Sequence, residues 1–390
     1  MKNNKGMFDI ALISPPWWLI PSENIITATE HIIEDYSYNF RKYGYNSVIF
    51  SREMDYTDQK GLKDVNKYNN KYIYIKVSKI DRKIFNKTNT LLFYLIYILR
   101  VSSTIRRLKI KKIVVFQTIS FCYWVKIFNP KSQVLYYTVN HELSRKDNYY
   151  EYGLVPDKLV TKIIPKIQVI ITMSEYIKRG IINRFPDLKN KCKVVYVGID
   201  TDVFRRKNKK EKERVIIYSG RIVPEKGVHL LSTAFKNLHK EFKDLRLYIL
   251  GGEIGPNIPI DYLKNFNHKG IKMFGLLPRK DVAKILRKGS IFVYPVIWEE
   301  PFGLAPIEAM AVGIPTVVSD TKSGYTEIIT KENGFYFDSN NEKDLERLLR
   351  DILLQKYDSE QIVSNAVKTV KKKLSWEECI RETMSCFTSI

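Results

Sequence analysis

The sequence predicts an α/β chain of two Rossmann-like domains with an interdomain cleft, and three observations carry that expectation. The chain has 390 residues, more than one ordinary core accommodates and about the length of two domains. Short apolar runs alternate with amphipathic segments along its length, the pattern of a parallel sheet covered by helices on both faces. The alternation halts at the almost purely charged stretch RRKNKKEKER, residues 205–214, and then restarts.

In the first half the strand candidates are 10–14, 47–50, 72–76, 112–116, 134–138, 169–172 and 193–197. Each is short, rich in Ile, Val, Tyr or Phe, and bounded by polar or turn residues. Helical patterns occupy 25–42, 91–108 and 174–184. The second half repeats the alternation with strands at 215–219, 246–250, 271–274, 290–294 and 316–319, and a helical run at 359–373 precedes a last segment, 376–387. The expected division is a first domain over 1–204, a second domain over 205–373, and a C-terminal helix over 374–390 that crosses back to the first domain. In open sheets of this kind ligands bind beyond the carboxyl ends of the strands, which makes the cleft the expected site.

Composition narrows the class. Hydrophobic residues make up 44% and charged residues 27%, which describes a globular chain. The most apolar run, 91–99, is cut off by Arg100, Arg106 and Arg107, so no membrane span is expected. The N-terminal apolar run is short, preceded by Asp9 and ended by Pro15 and Pro16, which reads as a strand and not as a signal peptide. Cys122, Cys192, Cys379 and Cys386 form no Cys-x-x-Cys pair, and neither a disulfide framework nor a structural metal is indicated. These features point to the cytoplasm.

The formal net charge is +23. Residues 1–200 hold 33 Lys and Arg against 17 Asp and Glu, and 61–140 hold 16 basic residues against Asp64 and Asp81. A positive first domain would attract an anionic surface, such as the inner membrane face, a lipid-phosphate acceptor or nucleic acid. A codon bias toward Lys, Asn, Ile and Tyr along the whole chain is the alternative source of that charge.

Two motifs carry chemistry. In VIIYSGRIVPEKG, residues 215–227, a buried strand runs into a turn and then a helix beginning near Gly227. Arg221 and Lys226 flank that helix start, and two cations beside exposed amides make a clamp for a diphosphate. The segment is neither a Walker loop nor a dinucleotide fingerprint. In VYPVIWEEPFGLAPIEAMAVGIPTVVSD, residues 293–320, a strand ends at Tyr294, a turn carries Trp298, Glu299 and Glu300, and a helix opens at about Gly303. Glu300 precedes that helix and Glu308 lies in its second turn, so both can face one ligand. The Phe302, Gly303 and Leu304 amides point out of its N-terminus, where a phosphate oxygen is held.

These segments resemble the retaining family 4 glycosyltransferases of GT-B fold (glycosyl transferases group 1), and the resemblance covers most of the chain. Its hallmark Glu-x7-Glu pattern appears as Glu300 to Glu308, followed by Ala311, Gly313 and Pro315. The Gly-Arg…Glu-Lys-Gly segment matches Gly220, Arg221, Glu225, Lys226 and Gly227, and Ser-Trp-Glu matches Ser375 to Glu377. The resemblance implies that Arg221 and Lys226 neutralise the donor diphosphate and that Glu308 holds the ribose hydroxyls. It further implies that Glu300 holds hydroxyls of the transferred sugar and that the Phe302–Leu304 amides complete the pocket. YYTVNHELS resembles the family's strand followed by His, which would place His141 beside the anomeric carbon. His31, His229, His239 and His268 read as structural or solvated. The family's Gly-Gly pair after the first strand is replaced by Pro21, Ser22 and Glu23, so a side chain such as Ser22 is expected where a backbone amide usually serves.

The expected function is transfer of a hexose-type unit from a UDP- or GDP-sugar to a glycan or lipid-linked acceptor, with retained anomeric configuration, in cell-surface polysaccharide or glycoconjugate synthesis. No cofactor and no metal are expected; Asp200 and Asp202, the Asp-x-Asp match, fall in the segment before the linker. The rival reading is a non-catalytic, degenerate glycosyltransferase subunit that binds membrane or a partner enzyme. Nucleic-acid binding has only the charge in its favour, lacks a recognisable motif and is not expected.

Overall fold

The computed structural model describes residues 7–16, 20, 28–53, 69–76, 90–145, 157–206, 214–252, 260–339 and 341–389. Pro21, Ser22 and Glu23, and 207–213 of the charged stretch, lie outside the described residues. The chain divides into two compact units, one of 1–197 with 377–390 and one of 198–376.

The first unit is built on a seven-stranded sheet in the order β3-β2-β1-β4-β5-β6-β7. Its strands are β1 (Ile10–Ile13), β2 (Ser47–Arg52), β3 (Tyr72–Ile75), β4 (Lys112–Phe116), β5 (Gln133–Thr138), β6 (Val169–Thr172) and β7 (Cys192–Val194). All pairings are parallel. Parallel strands are covered on both faces by their crossover helices, which is why β1 is uninterrupted IALI and buried throughout. Helices Ala28–Lys42, Thr90–Arg107 and Glu175–Arg184 match the helical patterns in the sequence. Ser174 caps the last of them, accepting from Ile177 N at 3.2 Å.

Helix Ile119–Phe128 was not foreseen. Its sequence, ISFCYWVKIF, is apolar on nearly every side, and a short apolar run does not distinguish helix from strand by periodicity.

The C-terminal helix, Trp376–Thr388, completes the core of this first unit. Tyr36 is its anchor: the Cys379 thiol donates to the Tyr36 hydroxyl at 3.1 Å, and Thr383 Oγ1 lies 3.3 Å from it. Gln133 Nε2 donates to the Phe387 carbonyl at 2.7 Å, and Phe387 is fully buried. Truncating that ring leaves a cavity, so Phe387→Ala is expected to cost about 3–5 kcal/mol. Urea unfolding followed by circular dichroism checks this; a midpoint unchanged from wild type would show that the helix is dispensable.

The second unit repeats the plan with six parallel strands in the order β10-β9-β8-β11-β12-β13. They are β8 (Val215–Ser219), β9 (Arg246–Leu250), β10 (Ile271–Met273), β11 (Ile291–Tyr294), β12 (Thr316–Ser319) and β13 (Phe335–Phe337). β13, helix Ile260–Lys264, helix Arg279–Leu286 and helix Glu342–Leu353 go beyond the sequence reading. The boundary between units also differs from the expected one at 204. Ile199 N–H donates to the Leu374 carbonyl at 2.8 Å, Gly198 sits so close that an added Cβ would lie 2.5 Å from the Trp376 ring, and Phe204 is fully buried. These contacts place Gly198–Phe204 and Leu374–Trp376 with the second unit. Among the described residues no helix is long and apolar enough to cross a membrane.

Candidate active site

In the second sheet the strand order reverses between β8 and β11, which run side by side. At such a switch point the crossover helices leave in opposite directions and open a crevice beyond the carboxyl ends. Both motif segments emerge there, one from each strand.

Gly227 brings the two loops together. It ends the 3₁₀ turn Pro224–Lys226 and starts helix Val228–Glu241 with φ 64°, a left-handed conformation that glycine adopts without steric cost. It also approaches the second loop so closely that an added Cβ would lie 1.8 Å from the Pro295 carbonyl oxygen. One residue pair seals the junction: Ile297 N–H donates to the Glu225 carbonyl at 3.0 Å.

The consequence is a buried cluster around Lys226, which is 5% exposed. Its ammonium donates to the Tyr294 hydroxyl at 3.1 Å, forms an ion pair with Glu300, and lies 5.2 Å from the Trp298 ring centroid. The Trp298 indole donates to Glu300 Oε2 at 2.8 Å. The Glu300 backbone is held as well: its N–H donates to Ser323 Oγ at 2.8 Å and its carbonyl accepts from Gly324 N–H at 2.9 Å. Thr321 and Tyr325 extend this network, with hydroxyls 2.6 Å apart.

Burial alone would raise the Glu300 carboxyl. The Lys226 ammonium, the Trp298 indole N–H and the Arg221 guanidinium outweigh it and hold the group below its ordinary value of 4.5. Tyr294 moves the other way, pushed well above the phenol range by burial and then by the Glu300 charge. The sign for stability follows from linkage: a depressed carboxyl stabilises the fold above its unfolded value, and that contribution fades as pH falls through the folded value. Glu300→Gln is therefore expected to destabilise the protein at pH 7, with the difference from wild type shrinking below about pH 4. Thermal melts of both proteins from pH 7 to pH 3 test it, and a constant offset would refute an ionised, stabilising Glu300.

The structure brings Lys226 and Glu300 directly together. Arg221 is half-buried and contributes to the same field; its carbonyl accepts from the Tyr218 hydroxyl at 2.6 Å. Phe302 and Gly303 are buried and Leu304 is partly so. They lead into helix Leu304–Val312, whose N-cap Gly303 has φ 83°. Gly303 packs against both site elements, since an added Cβ would meet the Tyr325 ring at 3.1 Å and Glu300 Cγ at 3.5 Å. Glu308 lies on the second turn of this helix and takes a partner that the sequence reading did not name: Arg279 Nη2 donates to Glu308 Oε1 at 2.9 Å.

His141 belongs to the first unit, just past the carboxyl end of β5. It is 2% exposed, its Nδ1 lies 2.8 Å from Ser144 Oγ, and its ring meets Tyr176 edge-on at 5.7 Å. Its neighbour Glu142 is also buried and accepts from the Thr118 and Ile119 amides at 2.9 and 3.0 Å, at the start of helix Ile119–Phe128. Asp200 works as a turn former, its Oδ1 accepting from the Asp202 and Val203 amides at 3.1 Å each.

Sequence reasoning missed the roles of Tyr294, Ser323, Tyr325 and Arg279. In the sequence Tyr294 reads only as a strand end, while Ser323 and Tyr325 arrive from beyond β12 with no local signature.

Residues 200–369 match the family model described as glycosyl transferases group 1. The chain is 25% identical over 290 residues to the putative glycosyltransferase YtcC of Bacillus subtilis (strain 168), covering 67% of this chain and 68% of that protein. It is 27% identical over 228 residues to the capsular polysaccharide biosynthesis glycosyltransferase CapM of Staphylococcus aureus, covering 54% and 59%. Among solved structures, Anabaena Alr3699/HepE in complex with UDP and glucose superposes with a TM-score of 0.74 at 14% identity, covering 98% of this chain and 100% of that one. At that identity the likeness shows the GT-B fold alone. With the switch-point cluster described above, the chain is thus identified as one of GT-B fold that carries a group 1 glycosyl transferase domain over residues 200–369.

Proposed function

We propose that this protein is a retaining glycosyltransferase that moves a hexose-type unit from a UDP- or GDP-sugar to a glycan or lipid-linked acceptor in cell-surface polysaccharide or glycoconjugate synthesis. The observation that carries the reading is the buried Lys226–Glu300 pair at the carboxyl ends of β8 and β11, beside the start of helix Leu304–Val312. A cation, a carboxylate and helix amides in one crevice suit the diphosphate and hydroxyls of such a donor. HepE is described with UDP and with UDP-glucose, and CapM is named for capsular polysaccharide; both favour this donor and this kind of product.

Lys226, Arg221 and the Phe302–Leu304 amides are assigned to the diphosphate, Glu308 to the ribose hydroxyls and Glu300 to the transferred sugar. His141 is assigned a contact to that sugar. The bond from the anomeric carbon to the diphosphate oxygen breaks and one to the acceptor oxygen forms on the same face. The departing phosphate takes the acceptor's proton. Charge grows on that phosphate as the bond opens, and preorganised cations and amides stabilise it. This route asks for no metal and no protein nucleophile.

A panel of UDP-, GDP- and ADP-sugars screened by thermal shift tests the reading, since a ligand that binds the folded state raises its melting temperature. A rise with one donor, followed by slow release of its nucleoside diphosphate, is the expected result. A shift without any turnover would instead favour the non-catalytic subunit. For the basic first unit the proposed partner is an anionic membrane surface, and Trp124 and Ile127, exposed beside Lys126, favour it. Sedimentation with phosphatidylglycerol vesicles that does not weaken with salt would contradict it.

A further inference from the structure

We infer that Arg279 is a positioning residue for the nucleoside half of the donor: it holds Glu308 oriented so that the carboxylate accepts hydrogen bonds from the ribose 2′- and 3′-hydroxyls. This role presupposes the donor assignment proposed above.

Arg279 breaks a local rule. It opens helix Arg279–Leu286 directly after the N-cap Pro278, where the helix dipole favours acids and disfavours cations. Asp281 is the acid of that first turn. A residue that contradicts local preference points to a gain made elsewhere.

The gain lies across the sheet end. The guanidinium reaches the Leu304–Val312 helix, with Nη2 2.9 Å from Glu308 Oε1. Its central carbon lies 5.1 Å from the Phe204 ring centroid, within the range of a cation–π contact. Phe204 is fully buried and fixed in turn, because its N–H donates to the Asp200 carbonyl at 2.8 Å. Arg279 and Glu308 keep only 12% and 14% of their side-chain surface. The planar group is therefore held by a fixed ring and a carboxylate.

Two chemical consequences follow. Arginine carries its charge at every working pH, and the carboxylate paired with it can only accept hydrogen bonds. It is matched to groups that donate, which a ribose diol does. Orientation is the second effect: a free glutamate samples many rotamers, and holding it beforehand removes that ordering cost from binding. A partly buried ion pair contributes little net stability over an apolar replacement, and orientation is the effect that remains.

The test compares a nucleoside diphosphate with its 2′,3′-dideoxy analogue. The probe is whichever of UDP, GDP and ADP raises the melting temperature most, and both affinities are measured by calorimetry. Wild type is expected to prefer the hydroxyl-bearing probe by on the order of 10- to 100-fold, the usual worth of hydrogen bonds to a charged group. Arg279→Ala and Glu308→Gln should each shrink that preference to about threefold or less, while their affinity for the dideoxy probe stays near wild type. Arg279→Lys should keep part of it. Phe204→Leu, which removes the ring but not the cation, should also lower it and serves if Arg279→Ala does not fold.

Equal weakening of both probes by Arg279→Ala would mean direct contact with the phosphates and would overturn the inference. So would a preference lost in Glu308→Gln but kept in Arg279→Ala, or no preference in a wild type that binds. Binding of none of the three diphosphates by wild type would remove the donor assignment itself, and this role with it.

Discussion

Replacing Lys226 by Met is expected to lower kcat/KM for sugar transfer by about 10²–10³-fold, the usual effect of removing one preorganised group that stabilises a developing anion. Met keeps the stem's volume and removes only the charge and its hydrogen bonds. The loss has two sources. On the proposed donor assignment the departing diphosphate loses a cation, and Glu300 loses the partner that offsets its burial. Breaking a buried pair from one side costs about 3–5 kcal/mol of stability, because the remaining charge has no compensation. Activity and stability must therefore be separated. The double variant Lys226→Met with Glu300→Gln removes both charges and should recover most of the melting temperature lost by the single variant, while turnover stays low. Recovery of turnover along with stability would show that Lys226 only neutralises Glu300 and does nothing for the phosphate.

The second large effect falls on a residue that touches no substrate in any assigned role. Gly227→Ala should reduce turnover by about 10² or more, since small misplacements of reacting groups carry penalties of that size. The new Cβ would meet the Pro295 carbonyl oxygen at 1.8 Å, far inside contact distance, and backbone on backbone cannot yield by a rotamer change. Alanine would also have to hold φ 64°, at a cost of about 1–2 kcal/mol. The two loops must then separate, breaking the Ile297–Glu225 backbone bond and drawing Lys226 away from Tyr294 and Glu300. Donor affinity by thermal shift and steady-state turnover report the outcome. A Gly227→Ala protein with wild-type values for both would show that the close approach has no part in forming the site.

Both effects concern residues that the sequence already singled out, yet for reasons it shows only in part. Gly227 was legible as a helix start, because a strand, a turn and a helical pattern follow one another in VIIYSGRIVPEKG. Its closeness to Pro295 was not, since 68 residues separate the neighbouring pair Lys226 and Tyr294 in the chain. Glu300 was legible as a carboxylate before a helix. That it is held by Ser323 and Gly324 depends on how the chain returns after β12, and no spacing rule links those positions. Arg279 went unnoticed because one arginine among 65 Lys and Arg residues carries no signal of its own.

The fold divides along the same line. Strands buried on both faces announce themselves as short apolar runs, and among the described residues twelve of the thirteen strands overlap such runs. Helix Ile119–Phe128 was missed because its apolar residues go nearly all the way round, which erases the periodicity that identifies a surface helix. Membership of the units shifted by a few residues, because Gly198 and Trp376 pack on each other across a long loop of chain.

By itself, the sequence determined two α/β units, the strand-to-helix turns at Gly227 and Gly303, and the set of charged groups beside them. Those are local properties, set by backbone conformation and by the period of apolar residues. Only the tertiary structure decided that Lys226 pairs with Glu300, that Arg279 pairs with Glu308, and that the C-terminal helix closes the core around Tyr36. Those pairings arise where parallel strands distant in sequence end side by side, and their energies depend on burial and distance, which no local pattern encodes.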